Sequence, residues 1–229
     1  MKTIVLVCAI ACLTAVSAAS PKVAGKAGDR VQAAADVLTE IQAAPDQGIP
    51  ETVLGSAECV AVVPAMLNGG FLVGARYGRG VASCRTPKGW STPSFFMIEG
   101  GSFGFQIGGQ AVDLVMLIMN NEGMRNLLSS KFKLGGDASV AAGPVGRAAA
   151  ADTDWKLRAQ ILSYSRARGV FAGVALDGAI VKQDKDSTRE FYGHMVTPQA
   201  SLQGLVSSPQ AAYPFLATLA KWATEAANK

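Results

Sequence analysis

The chain has 229 residues, with 21 Lys+Arg against 17 Asp+Glu and a formal net charge of +4. No basic run accompanies that mild excess, which excludes the basic stripe of a nucleic-acid binder. The 49% hydrophobic content supports a sizeable core, 25 glycines with only 7% aromatic residues point to small-residue packing, and the single histidine, His194, excludes a histidine-based metal centre.

Met1-Lys2 is followed by an uncharged stretch from Thr3 to Val16 and by the small residues Ser17-Ala18-Ala19. This pattern predicts a secretory signal over residues 1–19, cleaved after Ala18 or Ala19. The stretch falls short of the roughly 20 apolar residues a spanning helix needs. Ala9-Ile10-Ala11-Cys12 admits a second reading, a lipoprotein cleavage site with Cys12 lipidated; otherwise Cys8 and Cys12 are small apolar residues of the signal. Export places the protein in the periplasm or outside the cell, and removal of Lys2 leaves 20 basic against 17 acidic residues. It also delivers Cys59 and Cys84 to a compartment that permits disulfides. They are expected either to bridge neighbouring strands, contributing on the order of 3 kcal/mol, or to remain two buried thiols.

Residues 20–28 read as a flexible leader. Val31, Ala34, Ala35, Leu38 and Ile41 then mark one face of a helix over Asp29–Ala44, with Asp29 as N-cap and Pro45 as terminator. Pro50-Glu51 opens a short helix or turn. Cys59–Val63 reads as a strand stopped by Pro64, Phe71–Tyr77 as a second strand after Gly69-Gly70, and Gly78-Arg79-Gly80 as a hairpin turn into Val81–Arg85. From Ser94 to Met119 the pattern predicts strands interrupted at Gly100-Gly101 and Gly108-Gly109, ending in a buried strand or helical segment over Val112–Met119. A helix is expected over Asn121–Ser130, strands over Arg158–Arg166 and Val170–Val181 joined at Gly169, a short helix over Asp186–Tyr192 and a last helix over Pro209–Ala226. No repeat or linker divides residues 29–229. The expectation is one α+β domain, a curved, mostly antiparallel β-sheet flanked by N- and C-terminal helices.

Chemistry-bearing motifs are sparse. Gly100-Gly101-Ser102-Phe103-Gly104 matches the G-x-S-x-G nucleophile elbow, but the elbow needs a strand, a sharp turn and a helix. Phe105–Gly109 is a poor helix former, which leaves a serine hydrolase using Ser102, with His194 downstream, as a distant alternative. Asp152 and Asp154 read as a solvated turn. Cys59 and Cys84 lack the CxxC spacing of a zinc site, and no phosphate-binding glycine motif follows a strand. No catalytic residue, cofactor or metal is therefore expected. Asp113, a carboxylate in an apolar run, needs a partner if buried; it reads as one half of an ion pair with an arginine, or as a ligand-binding group. Arg76, Arg79, Arg85, Lys88, Lys131 and Lys133, beside Tyr77, Trp90 and Phe132, either gather to hold lipid phosphates or are ordinary surface charges beside core rings.

Several stretches together carry a family resemblance: Cys59–Pro64, Gly74-Ala75-Arg76-Tyr77-Gly78-Arg79-Gly80, Gly89-Trp90-Ser91-Thr92-Pro93-Ser94-Phe95, Gln106–Asp113, Ala141–Arg147, Tyr164–Gly173 and Phe191-Tyr192-Gly193. In this order they resemble successive blocks of the SYLF domain, the Ysc-type actin- and lipid-binding module, over roughly residues 30–195. The resemblance implies a non-enzymatic lipid binder: eukaryotic relatives bind phosphoinositides, some bind actin, and bacterial ones are exported and associated with phospholipid. In the eukaryotic type an amphipathic N-terminal helix contributes to membrane contact. Here Asp29–Ala44 carries Arg30 alone among basic residues, which favours core packing for that helix. No Src-homology-3 module is apparent, and an exported chain would not meet cytosolic actin. The expected function is thus phospholipid binding in the bacterial cell envelope, with an anionic phospholipid or membrane surface as partner, through surface charge and an apolar groove. The alternative is a structural or protein-interaction module whose protein partner the sequence does not name.

Overall fold

The computed structural model describes residues 25–43, 48–145, 159–167 and 170–227. The expected signal over 1–19, Cys12, Arg147, Asp152, Asp154, Arg158 and Gly169 lie outside them. The central element is a two-stranded ribbon. β1 (Cys59–Thr86) and β3 (Ser94–Ile118) pair antiparallel from Cys59↔Ile118 to Ala82↔Ser94. Between them β2 (Gly89–Trp90) turns back onto Arg85 and Thr86.

An extended strand would carry Cys59 about 80 Å from Cys84 at roughly 3.3 Å per residue. Their Cα atoms are instead 3.9 Å apart and their sulfurs are bonded. β1 therefore doubles back on itself, and both cysteines belong to one strand rather than to neighbouring ones. The glycines that read as a hairpin turn mark the closest approach of the two limbs. A Cβ on Gly80 would lie 2.5 Å from the Val62 carbonyl oxygen and 2.6 Å from the Phe96 ring, and one on Gly78 would lie 2.4 Å from Val63. Only residues without side chains let the limbs meet there.

The remaining turn signals are also absorbed into the ribbon. Gly69 and Gly70 pair with Gly109 and Gly108, and Gly100 and Gly101 pair with Arg76 and Ala75. Pro64 does not end the strand, because it falls in a bulge: Val63 faces Leu114 and Met66 faces Val112, so Pro64 and Ala65 together oppose Asp113. Ala65 takes a positive φ of 50°, and its N–H donates to Asp113 Oδ1 at 2.9 Å.

Other strands extend the ribbon at the outer side of β3. β6 (Ile161–Ala167) pairs with β3 over Asp113–Ile118 and carries β7 (Val170–Gly173) antiparallel and β5 (Val140–Ala142) parallel. β8 (Ile180–Gln183) pairs with Phe96–Glu99 and carries β4 (Lys131–Lys133). The strand expected over Val170–Val181 is thus two strands, parted by a turn at Gly178, whose φ is +81°. The result is an α+β domain with one curled sheet, antiparallel except for β5 with β6.

Curling buries both faces. Val60, Val62, Val115 and Leu117 point into one core, covered by α1 (Lys26–Gln42), α2 (Glu51–Gly55) and α6 (Tyr213–Ala227). Ala61, Val63, Leu114, Met116 and Ile118 point into a second core with Phe96, Ile98, Phe132 and Val181. α3 (Asn121–Leu128), capped by Asn120, adds Leu127 to it, and α5 (Pro198–Leu202) adds Leu202. α4 (Lys185–Tyr192) follows β8 directly. α1 begins at Lys26, inside the expected leader; Asp29 is not its cap but lies in its first turn, where a carboxylate favours the helix dipole, and its N–H donates to the Gly25 carbonyl at 3.0 Å.

Candidate functional site

The most elaborate polar cluster sits where α1, β1 and α4 meet. Asp184, fully buried, caps α4: one carboxylate oxygen accepts from the Ser187 N–H at 3.1 Å and the other from the Ser187 hydroxyl at 2.7 Å. Arg30 from α1 donates to that hydroxyl at 2.7 Å and approaches Asp184 Oδ2 at 3.6 Å. Arg79 from β1 approaches the same oxygen at 3.5 Å, and its Nε donates to the Tyr77 hydroxyl at 3.0 Å. Burial lowers the pKa of Arg30, opposed by Asp184; the Tyr77 hydrogen bond and Asp184 raise that of Arg79. Both guanidiniums stay charged at neutral pH. The cluster satisfies its members internally and joins three elements, so its chemistry is structural. The local sequence signal for this cluster is Asp184 three residues ahead of Ser187, the spacing of an N-cap.

Asp113 is held in the same manner. Its carboxylate receives the Ala65 N–H at the bulge and pairs with Arg166, whose Nε lies 2.9 Å away, while Arg166 also pairs with Glu40 of α1. The carboxylate thus fixes the bulge and the β3–β6 pairing together.

The basic residues singled out in the sequence are distributed rather than gathered. Arg76 donates to the Ala175 carbonyl at 3.2 Å, and burial lowers its pKa against the pull of Asp177. Arg79 belongs to the Asp184 cluster. Arg85 donates to the carbonyls of Ala57 at 2.9 Å and Gly55 at 3.2 Å, completing the end of α2, and its guanidinium lies 4.7 Å above the centre of the Trp90 ring. Lys131 and Lys133 are exposed on β4, on either side of buried Phe132, where lysines protect a sheet edge. Lys88 is exposed in the turn before β2.

Ser102 lies within β3 opposite Gly74, with strand on both sides of it. That overturns the nucleophile elbow, which needs a turn and a helix after the serine. His194 follows α4, exposed, with its ring 6.5 Å from that of Tyr192. Tyr192 instead completes an aromatic cluster with Phe95 and Phe191. Its hydroxyl donates to the Pro93 carbonyl and lies 2.9 Å from the Thr92 hydroxyl, and burial pushes its pKa up to about 12. Among the described residues no three metal-ligating side chains gather. The cavity lined by Phe96, Leu127, Phe132, Val181 and Pro198 has about 10 Å³ of room, enough for about one water and far too little for an acyl chain.

A protein-family comparison matches residues 99–222, from the first third of β3 into α6, to Ysc84, described as a Las17-binding protein actin regulator. The chain belongs to the Ysc84 family. Its relatives include Protein YSC84 of Saccharomyces cerevisiae, 36% identical over 178 residues that span 76% of this chain and 38% of that protein. An SH3 domain-containing YSC84-like protein 1 of Xenopus laevis is 38% identical over 151 residues, 65% of this chain and 45% of the relative. LAS seventeen-binding protein 3 of Saccharomyces cerevisiae is 34% identical over 178 residues, 76% and 39% of the respective chains. The chain thus spans less than half the length of the curated relatives it matches.

The Ysc84 description names binding and regulation rather than a reaction. In this member of the family α1 is a core helix: Val31, Ala34 and Leu38 are completely buried, and the helix packs on β1, α4 and α6. Its apolar face is already covered. Among the described residues no helix is long and apolar enough to cross a membrane.

Proposed function

We propose that this Ysc84-family domain is a non-catalytic module that binds anionic phospholipid surfaces in the bacterial envelope, reached through the signal at residues 1–19. One observation carries the reading. The internal polar clusters around Asp184 and Asp113 are occupied by their own neighbours, so the recognition chemistry lies on the outer surface, where Lys88, Lys131 and Lys133 are exposed. A modest positive excess attracts anionic head groups without demanding a deep site. Docked α1 leaves contact to other elements unless the helix undocks.

Flotation of the protein with phosphatidylcholine vesicles, with and without phosphatidylglycerol, tests the reading. Binding that grows with anionic lipid and falls with added salt supports it; failure to float with either vesicle overturns it. A second reading, a protein-docking module, is favoured by the relatives' names, which record binding to Las17. A protein partner co-purifying in stoichiometric amount with no lipid in the mass spectrum would establish that reading instead.

A further inference from the structure

Charged residues are absent from Met195 to Ala220, an interval containing α5, a turn at Gly204, a single 3₁₀ turn (Gln210–Ala212) and the first half of α6. Three large apolar side chains stand exposed in it: Met195, Leu205 at 74% and Tyr213 at 59%. Leu205 follows Gly204, whose φ of +71° sets the turn and whose nearest neighbour is Thr86, 3.4 Å from a Cβ placed there. Thr86 opens the turn that displays Lys88, and α6, which Tyr213 begins, packs against Gly89–Trp90 at the other side of that turn. A projecting leucine, a tyrosine and a lysine are therefore carried by elements that meet at one turn of the ribbon.

Burial of a whole leucine side chain is worth about 1.5–3 kcal/mol, and the fold forgoes that at Leu205. The shape narrows the occupant. A leucine three-quarters exposed on a turn projects outward, whereas recognition of a peptide or helix wants a concave apolar groove. A bilayer interface accepts a projecting aliphatic group in the acyl boundary, a tyrosine ring at head-group depth and a lysine on phosphate. We propose that the turn carrying Leu205, with Lys88 across Thr86 from it and Tyr213 at the start of the helix that packs on Gly89–Trp90, is the face by which the domain docks on an anionic phospholipid bilayer. This rests on the lipid-binding reading above and assigns it a surface that the dispersed arginines do not supply.

The test compares wild type, Leu205→Glu, Lys88→Glu and Leu67→Glu by co-sedimentation with the same two kinds of vesicle. The chain is expressed at full length and the N-terminus of the purified protein is established by mass spectrometry. Leu67, 60% exposed on β1 opposite Ala111, is the control for a merely added negative charge. Leu205→Glu is expected to weaken binding to anionic vesicles at least about tenfold, Lys88→Glu about fivefold and only where phosphatidylglycerol is present, and Leu67→Glu within twofold of wild type. Unchanged circular dichroism and melting temperature show that the variants are folded, as solvent-facing positions allow. Wild-type binding that Leu205→Glu leaves within about twofold overturns the proposal while sparing the lipid reading, and so does a loss seen with Leu67→Glu instead. Absence of wild-type binding to either vesicle overturns both.

Discussion

Replacing Gly80 by alanine probes the doubling-back of β1 directly. The added methyl would meet the Val62 carbonyl oxygen at 2.5 Å, the tip of the Phe96 ring at 2.6 Å and a Val63 methyl at 2.8 Å. None of these can easily yield. Val62 is paired to Val115, Phe96 is wedged in the second core, and the Cys59–Cys84 bond ties the two limbs close by. Relief therefore requires the limbs to separate by several tenths of an ångström, which places the cost at the upper end of overpacking, about 3 kcal/mol. For a domain of this size that lowers the melting temperature by about 6–12 °C. Gly101→Ala is the matched control, since a Cβ there finds its nearest atom, the Gly74 carbonyl oxygen, at 3.9 Å; its effect is expected within about 0.5 kcal/mol of zero. Urea unfolding followed by tryptophan fluorescence reads both, with the stability difference taken from the midpoint at unchanged slope. Equal midpoints for Gly80→Ala and Gly101→Ala would refute the close approach of the limbs.

Removing the bridge with Cys59→Ala and Cys84→Ala together should cost about 3 kcal/mol, from a closed loop of sequence separation 25. Wild type unfolded with dithiothreitol present should follow the same urea curve as the double variant, and a double variant as stable as the oxidised protein would refute the assignment. Asp184→Asn leaves buried Arg30 without its anion and should cost about 3 kcal/mol or more. Arg79→Ala, at a side chain 38% exposed, should cost about 1 kcal/mol or less; calorimetry showing the reverse order would contradict the cluster. Tyr192, with a folded-state pKa of about 12, binds its proton more tightly in the native state than in the unfolded one, where a tyrosine ionises near 10. Its contribution is therefore complete below about pH 10 and lost as pH rises towards 12. Tyr192→Phe should flatten that part of the stability profile and remove the phenolate absorbance step near pH 12.

The helices were legible because their signals are local. Val31, Ala34, Ala35, Leu38 and Ile41 share a face at helical spacing whatever lies opposite, and all five are buried in α1. Asn120 and Asp184 cap α3 and α4 just ahead of the helices expected from Asn121 and Asp186. α5 is short and lacks an apolar stripe, and its local signal is Thr197-Pro198, a cap followed by proline at the first helical position. The ribbon departs from its local sequence signals for a physical reason. Glycine serves both where a chain turns and where two backbones touch, and only the partner distinguishes the two uses. Gly80 looks like a turn until Val62 is placed beside it, and Pro64 looks like a stop until Asp113 is found holding the bulge.

The same division runs through the candidate site. Composition, charge balance and the ordered blocks from Cys59 to Gly193 are properties of the chain alone, and they sufficed to point to the Ysc84 family and a mixed α+β domain. Which cations remain available depends on their neighbours: Arg79 looks no different from Lys88 in sequence, yet one faces a buried carboxylate and the other solvent. Exposure of Leu205 is likewise invisible in a chain where most leucines are core, because burial is decided by elements distant in sequence. Local periodicity and capping act over a few residues and are written in the sequence; the curl that brings Cys59 to Cys84, and Thr86 to Gly204, comes from long-range packing and exists only in the folded sheet.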